Sequence, residues 1–242
     1  MLLRALPFQG VPVASSYEQA LDYLYYLLWT RYVNEGGPRP HSFNFTTLAA
    51  VHPERLALVG VRYVVGRDVP FRAGPPLPRV FAWNGYSVYE VPAVNVRGYA
   101  PATVLTAQTL ADELRILRQP GFDPARTAVV NADAGSLDGK SWAPLQASTL
   151  HWDRQTLLFE GRSAGTGSVV VLPFRYSHCW QPEWVGAPGR VIRADVALLA
   201  VIFAGATRVR LRWTAGYGGD AGCLRADAQF RGQALAAARA MP

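Results

Sequence analysis

Hydrophobic and polar positions change their rhythm along this chain, from long mixed segments in the first half to short alternating ones in the second. The run YEQALDYLYYLLWTRYV, Tyr17 to Val33, sets Tyr17, Leu21, Leu24, Tyr25 and Leu28 on one helical stripe, and Tyr23, Tyr26, Leu27 and Trp29 widen it nearly all round. Ser16 and Gln19 have capping-box spacing, which predicts a helix of about 17 residues, buried on several sides or touching something beyond this chain. Gly36, Gly37, Pro38 and Pro40 end it. Thr46 to Leu58, carrying His52, Pro53 and Glu54, predicts a short helix, and the β-branched run Val59 to Val65 a strand that stops at Gly66. VPFRAGPPLPR reads as a loop or edge segment, because proline cannot donate to a sheet.

Val80 to Trp83 and Ser87 to Val91 flank Asn84-Gly85-Tyr86, a hairpin signal. Thr109 to Gln119 predicts a helix, with Asp112 and Glu113 complementing the dipole of its first turn and Pro120-Gly121 stopping it. Ala128 to Asn131 reads as a short strand, and the polar stretch Ala132 to Lys140 as a linker between two halves. Beyond it, Leu145 to Trp152, Thr156 to Gly161, Ser168 to Tyr176, Arg190 to Ala194, Val196 to Phe203 and Thr207 to Trp213 are short strand patterns separated by turns, the signature of an antiparallel sandwich. Ala226 to Met241 is alanine-rich, as a terminal helix would be. The expected fold class is therefore α+β: a small N-terminal α/β subdomain over residues 1–134, an antiparallel β-sandwich over 143–223, and a terminal helix or tail over 224–242.

Composition narrows the classes. With 242 residues, 50% of them hydrophobic and 17% charged, the chain buries a real core, which excludes intrinsic disorder for most of it. A membrane-spanning helix needs about 20 largely apolar residues. The longest apolar stretch, Val196 to Thr207, falls well short and is bounded by Asp195 and Arg208. The opening MLLRALPFQGVP lacks the unbroken apolar core and cleavage site of a signal peptide. The formal charge is +7, yet of 24 basic residues only Lys140 is a lysine, and the arginines are spread evenly. Their tightest cluster, Arg208, Arg210 and Arg212, alternates with Val209, Leu211 and Trp213, which describes a strand with one wet face. Nucleic acid is not an expected partner.

Candidate chemistry is sparse. His41, His52, His151 and His178 show no metal-ligand spacing, no serine sits in a GxSxG elbow, and GTGS and GYGGDAG read as turns. No cofactor, metal or catalytic residue is expected. Glu160, Glu183, Asp153 and Asp195 lie on or near the sandwich strands, and a carboxylate pair across a cleft would suit a glycoside hydrolase. FRYSHCWQPEW concentrates Tyr176, His178, Trp180, Glu183 and Trp184 beside Arg175, and aromatic faces next to polar groups suit a sugar or peptide ligand. The alternative is that Trp180 is a core residue. The cysteines, Cys179 and Cys223, allow one disulfide or two buried thiols.

Several segments, in order, resemble the extracytoplasmic C-terminal region of the YfhO-like polytopic membrane proteins, a family similar to type C glycosyltransferases that use lipid-linked sugars. They are GVPVASSYEQAL, HPERLALVGVRYVVGRD (52–68), VYEVP (88–92), LRQPGFDPARTAVV (117–130), VVVLPFRYSHCWQPEW and RADVALLAVIFAGATRVRLRW. CWQPEW stands where the family usually has a proline-glycine before tryptophan. The resemblance implies an extracytoplasmic domain, periplasmic or at the cell surface, held at the membrane through a parent chain. Its partners would be the transmembrane portion of that parent and a glycan or lipid-linked acceptor. The family's presumed catalytic carboxylates lie in early membrane-proximal loops outside this sequence, so the chain would be an accessory domain, excised or encoded separately, and not catalytic alone. In that compartment Cys179 and Cys223 would pair. The rival expectations are a free-standing carbohydrate-binding sandwich and, behind it, a hydrolase using Glu160 or Glu183.

Overall fold

The computed structural model describes residues 23–35, 48, 50–67, 76–135, 137, 140–153, 155–215 and 221–239. They form an α+β fold that divides into two compact units, Met1–Val94 and Asn95–Pro242.

In the first unit, helix α1 (Tyr23–Leu28) continues as a π-helical turn over Trp29–Val33. Leu24, Leu27, Leu28, Tyr32 and Val33 are buried and only Arg31 is exposed within this segment, so the all-round apolar pattern corresponds to burial on several sides. Thr30 Oγ1 donates to Tyr26 O at 2.8 Å where the ladder widens. Ser16 and Gln19, the expected capping box, and the part of the expected helix before Tyr23 lie outside the described residues. Helix α2 (Pro53–Leu58) is shorter than the pattern suggested, because Pro53 occupies its first turn and disfavours helical backbone before it; His52 is extended, with φ −113° and ψ 94°. Arg55 fastens α2 to the first helix. Its Nη1 donates to Tyr32 O at 2.7 Å and to Glu35 Oε2 at 3.0 Å, and its guanidinium lies 4.7 Å from the Tyr32 ring centroid.

Strands β1 (Tyr63–Arg67), β2 (Arg79–Trp83) and β3 (Tyr86–Glu90) make an antiparallel sheet in the order β1-β3-β2. The expected hairpin joins β2 to β3 through Asn84 and Gly85, with φ of 49° and 75°, the positive pair that a two-residue type I′ turn requires.

The second unit pairs two sheets. One is five-stranded, ordered β4 (Thr103–Ala107), β5 (Thr127–Asn131), β10 (Arg190–Ala194), β11 (Leu198–Phe203) and β8 (Ser168–Arg175). The other is four-stranded and antiparallel, ordered β6 (Leu145–Trp152), β7 (Thr156–Ser163), β12 (Ala206–Trp213) and β9 (Trp180–Gly186). Helix α3 (Leu110–Leu117), capped by Thr109 Oγ1 accepting from Asp112 N at 3.1 Å, crosses between the parallel strands β4 and β5. The sequence pattern set a boundary between 134 and 143, but β4, α3 and β5 belong with the sandwich. The second edge of β5 is taken by β10: Val130 is in register with Ala194, and Asp195 N donates to Val129 O at 2.7 Å. At the far edge of this sheet, Tyr99 bridges Val171 through two backbone hydrogen bonds, of 3.0 and 2.8 Å.

Between the sheets pack Leu150, Leu157, Phe159, Val170, Leu172, Leu199, Val201, Phe203, Val209 and Leu211. In β12, Thr207, Val209 and Leu211 point inward and Arg208, Arg210 and Arg212 outward, as the alternation required. Helix α4 (Ala221–Arg239) packs against α3. Cys223, Asp227 and Phe230 follow one another at helical spacing along one of its faces. Among the described residues no helix is long and apolar enough to cross a membrane.

Candidate ligand-binding site

Four strands finish or start at one end of the sandwich, and each delivers a large side chain there. Trp152 closes β6, Phe174 and Arg175 close β8, Trp180 opens β9 and Trp213 closes β12. Register explains the gathering: Trp213 stands opposite Trp180, Trp213 N donates to Gln155 O at 2.8 Å, and Trp180 Nε1 donates to Arg175 O at 3.0 Å. The rings meet edge to face, Trp180 and Trp213 with centroids 5.0 Å apart and Trp152 and Phe174 5.6 Å apart. The Arg175 guanidinium lies 5.4 Å from the Trp213 ring centroid. Trp152 is 51% exposed, an unusual degree for tryptophan, so this end offers indole surface to solvent next to a cation stacked on a ring. Such a surface suits a ligand with apolar faces and hydroxyl rims.

Beside it the segment Tyr176–Cys179 is fastened to α4. Cys179 is disulfide-bonded to Cys223, with Cα atoms 4.9 Å apart. One helical turn on, Asp227 accepts from Ser177 Oγ, from His178 N at 2.9 Å and from His178 Nδ1 at 2.7 Å. The presence of Ser, His and Asp does not make a nucleophilic relay. In a relay the imidazole stands between hydroxyl and carboxylate, whereas here Ser177 and His178 bind separate oxygens of one carboxylate. Tyr176 meets His178 edge-on at 5.4 Å, and burial, helped by the Asp227 carboxylate, raises the pKa of its hydroxyl.

Under α4 lies a polar node. Glu113 of α3 and Arg193 of β10 form a buried bidentate pair, and Phe230 of α4 covers the guanidinium at 5.0 Å. The pair also holds the turn after β10: Arg193 Nη1 donates to Val196 O at 2.7 Å, and Val196 N donates to Glu113 Oε2 at 3.0 Å. Val196 has φ 73° and Ala197 N donates to Asp195 O at 2.9 Å, a γ-turn with a β-branched residue in the left-handed region. The Asp195 carboxyl is fully buried. Its Oδ1 accepts from Val129 N at 2.8 Å, its Oδ2 has no hydrogen-bond partner among the described residues, and burial pushes its pKa up to about 7.

The five side chains singled out in FRYSHCWQPEW divide between different surroundings. Trp180 stands at the aromatic end but packs against the sandwich core, as the alternative reading had it, and Tyr176, also against the core, and His178 belong to the α4 attachment. Trp184 faces the sandwich core, so close to Gly189 that a β-carbon there would run into its ring. Glu183 points outward from β9 to Arg212 Nη2 at 3.3 Å and Arg210 Nη1 at 4.0 Å. The other carboxylates are equally dispersed. Glu160 is ion-paired with Arg208 at 3.1 Å on the outer face, and Asp153 Oδ1 accepts from Gln155 N and Thr156 N in its turn. His52 sits before α2, 3.7 Å from Glu54, His151 is exposed on β6, and His41 lies outside the described residues. Among the described residues no three His, Cys, Asp or Glu side chains are grouped to hold a metal.

Trp152, Phe174 and Trp213 were not singled out by sequence as site residues, although Trp152 directly before the turn at Asp153 was a usable signal. Comparison of the chain with known protein families, with curated proteins and with solved structures finds no match.

Proposed function

We propose that this chain is an extracytoplasmic accessory domain of a glycosyltransferase-like membrane protein, and that it contacts a glycan or glycan-bearing acceptor without catalysing transfer itself. The aromatic end of the sandwich carries the reading: the exposed Trp152 indole, backed by Phe174, Trp180 and Trp213, offers ring surface for the C–H face of a sugar, beside the Arg175 guanidinium stacked on Trp213. The Cys179–Cys223 bond supports an oxidising compartment. The resemblance of the ordered segments to the YfhO-like proteins is the ground for a membrane-bound parent, so an upstream reading frame encoding a cluster of transmembrane helices is part of the proposal.

The binding test is titration of the full chain with soluble oligosaccharides, read by calorimetry and intrinsic fluorescence. Trp152→Ala and Trp213→Ala are each expected to weaken binding about two- to tenfold, given roughly 0.5–1.5 kcal/mol per ring contact. Glu160→Gln with Glu183→Gln is expected to leave it unchanged. Glycan hydrolysis that disappears in that double variant would replace the proposal with the hydrolase reading.

A further inference from the structure

Resting on the glycan contact proposed above, we infer that the glycan is acidic, a linear chain of uronic acid units that continues from the aromatic end along the outer face of the four-stranded sheet. Register and burial place the charges of that face. Arg208, Arg210 and Arg212 of β12 point outward, with side chains 51%, 56% and 59% exposed. Arg162 of β7 stands opposite Ala206, on the same face and one row beyond Arg208. Alternate residues of a strand are about 7 Å apart, so β12 presents three guanidiniums in single file. The file runs into the aromatic end, since Arg212 directly precedes Trp213, over whose ring the Arg175 guanidinium lies.

The acids of the face do not balance these charges. Glu160 stands opposite Arg208 and pairs with it at 3.1 Å, and Glu183 is shared between Arg212 at 3.3 Å and Arg210 at 4.0 Å. Arg162 has no ion pair among the described residues. Two glutamates thus meet four arginines, which leaves two positive charges on one face, complementary to an anionic chain. At the aromatic end Asp153 offsets Arg175, and its Oδ1 is held within its own turn by Gln155 N and Thr156 N.

The remaining chemistry of the face selects among anions. Its register positions hold no Trp, Tyr or Phe among the described residues, so it lacks the stacking platform that a single-stranded nucleic acid needs. Glu160 on β7 and Glu183 on β9 flank the file on β12 from either side. They repel an anionic bilayer laid over the whole face and leave a lane one chain wide. A uronic acid unit suits both parts of the site, with a C–H face for an indole and a planar carboxylate for a guanidinium fork.

The test is calorimetric titration of the full chain with oligogalacturonate, with its fully methyl-esterified counterpart of equal length, and with inorganic polyphosphate. The acidic oligosaccharide is expected to bind about tenfold or more tightly than the ester, and the difference to shrink as salt rises. Arg208→Gln with Arg210→Gln is expected to remove that preference, whereas Trp152→Ala is expected to weaken both sugars. Arg162→Gln, which breaks no ion pair, is expected to weaken the acidic sugar about two- to threefold; circular dichroism verifies that each variant folds. Equal affinity for acid and ester, or a preference that survives the arginine substitutions, overturns the inference and leaves the glycan contact standing. Failure of both sugars to bind overturns the glycan contact as well. Polyphosphate binding as tight as that of oligogalacturonate overturns the assignment to a sugar acid, since the face would then attract any polyanion.

Discussion

Arg193 and Glu113 stand 80 positions apart in the chain and meet through two hydrogen bonds of 2.6 Å, their side chains 7% and 0% exposed. Arg193 also bonds Val196 O, and Glu113 accepts from Val196 N, so one ion pair joins α3 to β10 and fixes both backbone polar groups of Val196, a residue held at positive φ. Removing one partner leaves the other charge buried. Glu113→Gln or Arg193→Met is therefore expected to cost about 3–5 kcal/mol in chemical denaturation, and Glu113→Leu with Arg193→Met together distinctly less than the sum. Additive losses would show that the two groups act separately.

Asp195 sits against that node and makes stability depend on pH. Its folded pKa, about 7, is above the usual 3.8, so between those values the folded state holds a proton that the unfolded state releases. Stability from this group is complete below about pH 4 and falls as pH rises towards 7, by up to a few kcal/mol. Asp195→Asn is expected to flatten that fall and to be the more stable form at pH 8, in denaturation curves measured across pH 4–8. A wild-type stability that rises over the same window through Asp195 would contradict the assignment.

Asp227 and the disulfide hold the same four-residue segment from neighbouring turns of α4. Asp227→Ala removes three hydrogen bonds to a carboxylate and is expected to cost about 2–3 kcal/mol. Reduction of Cys179–Cys223 frees a loop of 44 residues, worth about 4 kcal/mol in a chain-entropy model. Hydrogen exchange along α4 should accelerate with either change, and most when both are made. Thiol titration of the denatured, unreduced native protein should find no free sulfhydryl.

Trp184 offers a contrast with Trp152. Trp184→Ala is expected to destabilise the sandwich by about 3–5 kcal/mol while leaving glycan affinity intact, and Gly189→Ala to act in the same direction, because its β-carbon would meet Ile202 O and the Trp184 ring. Trp152→Ala should do the reverse, sparing stability and weakening binding. Thermal melts and calorimetric titrations of the three variants separate the roles.

Local rules carried the parts of the fold that are local. Asn84-Gly85 specified its hairpin, Pro120-Gly121 the end of α3, and the alternation around Arg208, Arg210 and Arg212 its strand. β9 was missed because Trp180, Pro182 and Trp184 alternate with polar residues inside a segment whose aromatic density suggested a ligand site. The unit boundary was missed because the pairing of Val130 with Ala194 is non-local and leaves no trace near residue 130. Of the aromatic end only Trp180 was legible; Trp152, Phe174 and Trp213 are brought to it by register between distant strands. Nothing around Asp227 in a helix of alanine, arginine and glutamine marks it as the acceptor for Ser177 and His178.

The bridge from Tyr99 to Val171 has a geometric corollary. Tyr99 lies outside β8 at one margin of the five-stranded sheet, yet four residues later Thr103 begins β4 at the opposite margin. Four residues reach about 14 Å at full extension, whereas five flat interstrand spacings require about 24 Å. The sheet must therefore curl into a trough, with the segment 99–103 strung between its rims like a bowstring. The free backbone of β8 is engaged by that strap at Val171, so the rim of β4 is the one left to be shielded from pairing with another chain.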